Sequence, residues 1–227
     1  MRKLIIFDID GTLLLTGGAG KIAFDRVFSE LFGIEGAWQE MHPDGRTDPS
    51  LIRELFKKNC GRFPLPEEYD QIVESYTRNM ASALQETQNF RLMPGILELL
   101  RKIEERRLGL LGLATGNFES TAYLKLERGG LRDFFSYGGF GSDFRDRLKL
   151  TKLAVERGHQ RLGRRLEPEE IILVGDTDHD VRCGKLLGLT TIAVATCTTP
   201  KSVLASLRPD FLLDRLSPLE EILPIFE

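Results

Sequence analysis

Short apolar runs alternate along the chain with segments whose apolar residues repeat at helical spacing, and this alternation constrains the fold more than any other feature. The runs are apolar throughout rather than at every second position, which is typical of parallel strands covered on both faces. Strands that alternate with helices predict an α/β fold with an open, doubly wound parallel sheet. The six runs are Lys3–Phe7, Leu108–Ala114, Phe134–Gly138, Ile171–Val174, Thr190–Ala195 and Phe211–Leu213.

One long segment interrupts this alternation. From about Leu14 to Phe90 the sequence has three helical stripes and no convincing strand. An all-helical block after the first strand predicts a small cap domain at residues 15–93, inserted into an α/β core of residues 1–14 and 94–227. The hinges predicted from glycine and proline positions are Leu15–Gly20 and Asn89–Pro94.

Composition narrows the classes of partner. The 227 residues suffice for one or two domains, and 31 Lys+Arg against 34 Asp+Glu leave no basic excess for a nucleic-acid partner. No apolar stretch approaches the roughly 20 residues that span a bilayer, so a membrane partner is not expected. The three cysteines have no metal or redox spacing, which predicts a reduced, cytoplasmic protein. We expect a monomer or a homodimer.

Acidic residues cluster directly after two of the apolar runs. Asp8 and Asp10 follow the first run, and Asp176, Asp178 and Asp180 follow the fourth. Ligands of open α/β sheets bind outside the carboxyl ends of the strands, so both clusters are expected at one edge of one sheet. Any single one of these acidic residues has an alternative interpretation as a solvated loop residue or a helix cap. Two converging clusters of hard oxygen ligands favour Mg²⁺ over Zn²⁺.

These residues carry a family resemblance. The segment Asp8–Leu13 resembles motif I of the haloacid dehalogenase-like hydrolases, and Gly175–Asp180 resembles motif IV. An apolar run followed by Thr115-Gly116-Asn117 resembles motif II. The resemblance extends from Asp8 to about Ala195. A helical insertion after motif I is similar to the group that includes phosphoglycolate phosphatase and β-phosphoglucomutase.

The resemblance implies roles in phosphoryl transfer. Asp8 would be the nucleophile that forms an aspartyl phosphate, and Asp10 would act as acid toward the leaving oxygen and then as base toward water. Thr115 would bind phosphoryl oxygens together with the neighbouring backbone amides of Gly116 and Asn117. On its own, Thr115 would be interpreted as a turn or helix cap.

A metal site is implied by the same resemblance. Mg²⁺ would lie between Asp8, the backbone carbonyl of Asp10, and Asp176. Asp180 would hold that shell directly or indirectly.

Motif III departs from the family pattern, which has a lysine, often followed by proline, ahead of a helix. The segment Gly141–Leu150 contains no proline and offers three cations, Arg145, Arg147 and Lys149. We favour Arg147 because it lies just before the helix that carries Leu150. The other two stay open, and each of the three has a solvated surface charge as its alternative interpretation.

The cap offers one candidate specificity segment, Gly45–Asp48. Arg46 would meet an anionic substrate, whereas Thr47 or Asp48 would cap a helix that begins at Pro49.

The predicted function is therefore a Mg²⁺-dependent phosphatase that acts on a small phosphorylated metabolite of the phosphoglycolate class. One alternative is a phosphomutase like β-phosphoglucomutase, which returns the phosphoryl group to a sugar. A second is a non-catalytic phosphate-binding regulatory module, because a fold does not by itself fix a function.

Overall fold

The structure, a computed structural model, describes residues 3–39 and 41–227. Its strands and helices follow the alternation that the sequence predicts. In chain order the strands are β1 (Lys3–Phe7), β2 (Leu14–Leu15), β3 (Arg91–Leu92), β4 (Gly109–Ala114), β5 (Gly138–Gly139), β6 (Ile171–Gly175), β7 (Thr190–Val194) and β8 (Phe211–Leu213). The α-helices are α1 (Ala19–Phe32), α2 (Asp48–Cys60), α3 (Pro66–Glu86), α4 (Ile96–Glu105), α5 (Glu119–Arg128), α6 (Arg147–Leu162), α7 (Asp178–Leu187), α8 (Lys201–Ser206) and α9 (Leu219–Ile222).

Six of the strands form one parallel sheet in the order β5-β4-β1-β6-β7-β8. Side chains of β1 alternate between its two faces. Ile5 and Phe7 pack in a hydrophobic cluster with α4 and α5, whereas Leu4 and Ile6 pack in another with α6 and α7. Because both faces are covered, β1 is apolar throughout rather than at every second position. The predicted doubly wound α/β fold is confirmed.

The third predicted strand is mostly wrong. Only Gly138–Gly139 pairs with β4, whereas Arg132–Phe134 forms a 3₁₀ turn. The apolar residues that suggested a strand, Phe135 and Tyr137, are buried because their side chains pack in the hydrophobic clusters on the two faces of the sheet. An apolar run shows that a segment is buried, but it does not by itself show that the segment is a strand.

Helices α1, α2 and α3 pack around their own hydrophobic cluster. Phe24 of α1 stacks on Tyr76 of α3, with ring centroids 4.0 Å apart. Phe56 of α2 joins them, and Phe118 at the start of α5 packs on the same cluster from the sheet side. We therefore propose the division into a cap of residues 15–93 and a core of residues 1–14 and 94–227. Within these ranges, residues 1, 2 and 40 lie outside the described part of the chain.

The two connections between cap and core lie side by side. Leu14 pairs with Leu92 and Leu15 with Arg91 in a two-stranded antiparallel ribbon, which corrects the expectation that no strand follows Leu14 before residue 90. Further along, the Thr87 hydroxyl donates a hydrogen bond of 2.9 Å to the carbonyl of Gly17. The segments predicted as hinges are thus tied to each other.

None of the helices in residues 3–39 and 41–227 has the length and apolar character needed to cross a bilayer. The three cysteines are free thiols. The cytoplasmic location, the oligomeric state and the lack of a nucleic-acid partner stay predictions.

Candidate active site

The two acidic clusters meet at the carboxyl edge of the sheet. Strands β1 and β6 are parallel neighbours with Phe7 opposite Val174, and the amide of Asp8 continues the pairing with a 2.9 Å hydrogen bond to the Val174 carbonyl. This register places the residues after each strand together. Asp8, Asp176 and Asp180 are all buried, and each offers an oxygen within 4.8 Å of the others.

Arg147 is the cation that lies against this group. It is the first residue of α6, and its Nη2 lies 3.0 Å from Asp8 Oδ2 and 2.6 Å from Asp180 Oδ1. The other two candidate cations, Arg145 and Lys149, are exposed and line a separate cavity. The carboxylates of Asp8 and Asp180 raise the pKa of Arg147 above its usual value although burial opposes this, so its charge is permanent.

The buried group carries more negative than positive charge. Burial raises the pKa of Asp8 from 3.8 to about 6, against the opposing charge of Arg147. Burial also raises the pKa of Asp176 well above its usual value, and the charges of Asp8 and Asp180 add to this effect. Among the residues that the structure describes, three carboxylates face a single guanidinium. The site therefore favours a further cation.

The donor set fits a divalent ion with oxygen ligands. Asp176 accepts the Thr12 hydroxyl on Oδ1 at 2.8 Å, and no hydrogen bond from the described residues reaches its Oδ2. Gly11, at φ +85°, passes so close that a Cβ there would lie 2.3 Å from this Oδ2. Asp180 has both oxygens engaged, by Arg147 and by the hydroxyl and amide of Thr177. Asp176 is thus better placed than Asp180 to bind an ion directly.

Asp10 faces a different set of partners. Its side chain is 44% exposed, and Lys125 Nζ lies 2.9 and 2.7 Å from its two carboxylate oxygens. The side-chain amide of Asn117 donates to Asp10 Oδ2 at 2.8 Å. The Asp10 carboxylate is not part of the group of three buried acids, and the predicted role of its backbone carbonyl in metal binding stays a prediction.

Lys125 is the residue that sequence reasoning missed. It lies on the face of α5 that also buries Thr121, Ala122 and Leu126. The sequence held one indication of its role, namely that Lys125 lies at a helical position on the buried face of α5. Lysine is rarely buried without a partner, so such a position points to an acidic partner. The partner, Asp10, is 115 positions away in the chain.

The motif II residues line the same site. Thr115 is fully buried, and its hydroxyl oxygen accepts a 2.7 Å hydrogen bond from the Asn117 side chain. The Gly116 carbonyl accepts the amide of Asp48 at 2.7 Å. A Cβ at Gly116 would lie 2.2 Å from the Arg46 carbonyl, so only glycine allows the cap to approach this closely.

On the cap side, Asp48 is not the helix cap that the sequence suggested. It is the first residue of α2, and Thr47 before it makes no side-chain capping bond. Instead, Asp48 Oδ2 accepts the amide of Phe118 at 2.9 Å and the Thr121 hydroxyl at 3.2 Å. This buried carboxylate therefore fastens the cap to the start of α5.

A cavity of about 420 Å³ lies between cap and core, and Asp8, Asp10, Thr115 and Arg147 lie in its wall. Further wall residues come from the cap and its connections, namely Lys21, Phe24, Trp38, Arg46 and Arg91. Arg46 thus lines the cavity, but its guanidinium is also paired with Glu54 of α2, and its contact with an anionic substrate stays a prediction. The cavity therefore gives a ligand access to the acids, and both apolar and cationic side chains of the cap and its connections line it.

We expect the Asp48→Asn variant to change how stability depends on pH. Burial raises the pKa of Asp48 from 3.8 to about 6, although Lys125 opposes this. The cost of ionising the folded state is absent below pH 3.8 and complete above about pH 6, and a shift of this size corresponds to about 3 kcal/mol. Asparagine keeps an acceptor for Phe118 and does not ionise.

Urea unfolding between pH 4 and pH 7 checks this expectation. The free energy of unfolding of Asp48→Asn should rise relative to the unmodified protein by about 2 kcal/mol over that range, because part of the full cost is already present at pH 4. A difference that is the same at every pH would contradict it.

Comparison with known proteins supplies independent findings. A family model described as haloacid dehalogenase-like hydrolase matches residues 5–194. A "Pyrophosphatase PpaX" of Oceanobacillus iheyensis is 26% identical over 218 residues, which are 93% of this chain and 92% of that protein. A "Phosphoglycolate phosphatase" of Synechococcus elongatus is 27% identical over 220 residues, 96% of this chain and 95% of that protein. The crystal structure of a predicted phosphoglycolate phosphatase from Haemophilus somnus has a TM-score of 0.73 at 17% identity and covers 98% of both chains, which shows a shared fold.

Proposed function

The chain belongs to the haloacid dehalogenase-like hydrolases, and we propose that it is a Mg²⁺-dependent phosphatase that hydrolyses a small phosphomonoester through an aspartyl phosphate. One observation carries the proposal. The buried carboxylates of Asp8, Asp176 and Asp180 face a single guanidinium at the end of a cavity large enough for a metabolite.

Asp8 is the nucleophile of this proposal. It lies in the cavity wall, and Arg147 holds one of its oxygens at 3.0 Å. An Asp8 oxygen forms the bond to phosphorus while the bond from phosphorus to the leaving oxygen breaks. Arg147 offsets the charge that the nucleophile and the phosphoryl group bring together.

Asp10 moves the protons. Its half-exposed carboxyl group gives a proton to the leaving oxygen and then takes one from the water that attacks the aspartyl phosphate. Attack at phosphorus releases inorganic phosphate and restores Asp8. The Thr115 hydroxyl, whose oxygen accepts a bond from Asn117, keeps its hydrogen for a phosphoryl oxygen.

The residues that would hold Mg²⁺ are Asp8, Asp176 and the carbonyl of Asp10, with Asp180 supporting them through Arg147 and Thr177. When bound, the ion supplies positive charge that shields the nucleophile from the anionic phosphoryl group.

We propose that the substrate carries a second anionic group. Lys21 and Arg91 lie in the cavity wall and make no ion pair with the described residues, and Arg46 lies in the same wall. Cations in the wall of the same cavity as the nucleophile suit the carboxylate of phosphoglycolate or a second phosphate. The latter also fits pyrophosphate, or the bisphosphate intermediate of a phosphomutase.

A panel of phosphate compounds tests the function. Phosphoglycolate, pyrophosphate, hexose phosphates and p-nitrophenyl phosphate are each incubated with Mg²⁺, and free phosphate and sugar isomers are measured. We expect phosphate release, with the highest kcat/KM for a substrate that has two anionic groups. Isomerisation without net phosphate release would identify a mutase instead. Binding without turnover of any compound would identify a regulatory module.

Metal removal is expected to stop phosphate release. Chelation with EDTA should lower the rate at least about 10²-fold, because a bound metal ion supplies several kcal/mol of charge stabilisation. Added Mg²⁺ should restore the rate and should also raise the melting temperature, because an ion that binds only the folded state stabilises it. In Asp176→Asn the increase in melting temperature should be lost. Full activity in EDTA would contradict the assignment.

A further inference from the structure

The contacts of Lys125 point to a residue that serves the proton-transfer step. Its side chain is only 6% exposed, yet it carries a charge and reaches the edge of the cavity. Two of its hydrogen bonds go to the two oxygens of Asp10 and one goes to Oδ1 of Asn117. An ammonium group has three donors, so this lysine is fully satisfied at the site.

Asn117 extends the arrangement to the phosphate-binding threonine. While its Oδ1 accepts from Lys125, its side-chain nitrogen donates to Asp10 at 2.8 Å and to the Thr115 hydroxyl oxygen at 2.7 Å. One lysine and one amide thus fix the Asp10 carboxylate relative to Thr115. The distance between a proton donor and a bound phosphoryl group depends on this arrangement.

Lys125 and Asp10 differ in exposure, and this difference indicates that the lysine holds the carboxylate in place rather than the reverse. Lys125 is buried on helix α5, whereas the Asp10 side chain is 44% exposed and lies in the cavity wall. Lys125 also lies close enough to Asp48 for its charge to act on that cap carboxylate. The lysine therefore lies where the sheet edge, α5 and the cap meet.

We propose that Lys125 is a positioning residue for the acid–base chemistry of Asp10, holding its carboxylate toward the leaving oxygen in register with Thr115. This inference rests on the proposed phosphatase function and adds to it a residue outside the motifs that the sequence shows. A purely structural role, in which Lys125 only ties α5 to the neighbouring loop, makes a different prediction.

The leaving group separates the two roles. An alkyl phosphate needs a proton on its leaving oxygen, whereas p-nitrophenolate leaves without one. The experiment compares Lys125→Met with the unmodified protein by single-turnover measurement of leaving-group release from glycerol phosphate and from p-nitrophenyl phosphate. We expect release of glycerol to slow about 10²-fold, with KM changed less than about threefold, and release of p-nitrophenolate to slow less than about threefold.

A double substitution provides the second test. If Lys125 acts through Asp10, adding Lys125→Met to Asp10→Asn should slow glycerol release by less than about twofold beyond Asp10→Asn alone. Lys125→Arg keeps the charge and should recover part of the rate. Lys152→Met, at an exposed lysine of α6, is the matched control and should leave both rates unchanged.

Equal slowing of both substrates by Lys125→Met, or a further large loss in the Asp10→Asn background, would overturn the positioning role while leaving the phosphatase intact. Because the double variant removes both charges of the ion pair, its rate of glycerol release still tests the role of Lys125 where Lys125→Met alone does not fold. Absence of Asp8-dependent release in the unmodified protein would overturn the proposed function, and the role of Lys125 with it.

Discussion

Replacing Asp8 with asparagine should lower phosphate release from every substrate by at least about 10⁴-fold, because an amide is a far weaker nucleophile than a carboxylate. The substitution should change little else at the site, so a loss of activity would report on the nucleophile. Asparagine has nearly the same volume, and its carbonyl oxygen still accepts a hydrogen bond from Arg147, which lies 3.0 Å from Asp8. The measurement is release of inorganic phosphate with Mg²⁺ present, together with retention of phosphate on the protein after acid quench.

Asp178→Asn is the matched control for Asp8→Asn. Asp178 belongs to the second acidic cluster, but it is partly exposed and pairs with Arg182 on the surface of α7. It should keep activity within about twofold of the unmodified protein, since an exposed ion pair contributes little. Activity of Asp8→Asn within tenfold of the unmodified protein would contradict the nucleophile assignment.

Stability provides a second readout for the same variant. Burial raises the pKa of Asp8 from 3.8 to about 6, so ionisation costs the folded state stability as the pH rises through that range. Asparagine does not ionise and avoids that cost. In metal-free solution above pH 6, Asp8→Asn should therefore melt no lower than the unmodified protein, which separates lost chemistry from lost structure.

The sequence predicts the sheet and the meeting of the acids because both follow from local patterns. Apolar runs indicate strands, parallel strands place their carboxyl ends at one edge, and so Asp8 and Asp176 come together without any knowledge of side-chain packing. The β5 segment shows the limit of this reasoning, because burial of Phe135 and Tyr137 gives the same apolar pattern as a strand.

The contacts between cap and core could not be predicted in the same way. The sequence predicts that Asp48 caps the start of a helix. In the structure its carboxylate instead accepts hydrogen bonds from the amide of Phe118 and the hydroxyl of Thr121, at the start of α5. Nothing near position 48 shows that α5 will pack there. The same holds for Lys125, because its burial is explained only by the ion pair with Asp10, which the local sequence does not reveal.

The motif III cation is an intermediate case. The buried residues of α6 are Arg147, Leu150, Thr151, Ala154 and Gly158, which follow the spacing i, i+3, i+4, i+7, i+11. Arg147 is thus in helical phase with the apolar residues, whereas Arg145 precedes the helix and is exposed. Periodicity carried the information that separates Arg147 from the other two cations.

Arg147→Met should lower phosphate release about 10³-fold and should also destabilise the folded protein. The rate falls because the guanidinium lies 3.0 Å from the nucleophile and offsets charge that builds up during transfer. Stability falls because Asp8 and Asp180 lose their shared partner while staying buried, a change that costs about 3–5 kcal/mol in comparable pairs. Steady-state kinetics with Mg²⁺ and urea unfolding in metal-free solution measure the two effects.

The charge explanation for Arg147 has its own controls. Lysine keeps the charge but has a shorter side chain than the arginine whose Nη2 contacts both Asp8 and Asp180, so Arg147→Lys should lie between Arg147→Met and the unmodified protein in both readouts. Lowering the pH toward 4 should narrow the stability gap of Arg147→Met, because Asp8, whose pKa burial raises to about 6, is then protonated and no longer needs a cation. If Arg147→Met instead kept its activity while Arg145→Met or Lys149→Met lost it, the cation that faces the phosphoryl group would be one of the two exposed residues, and the assignment of Arg147 would be wrong.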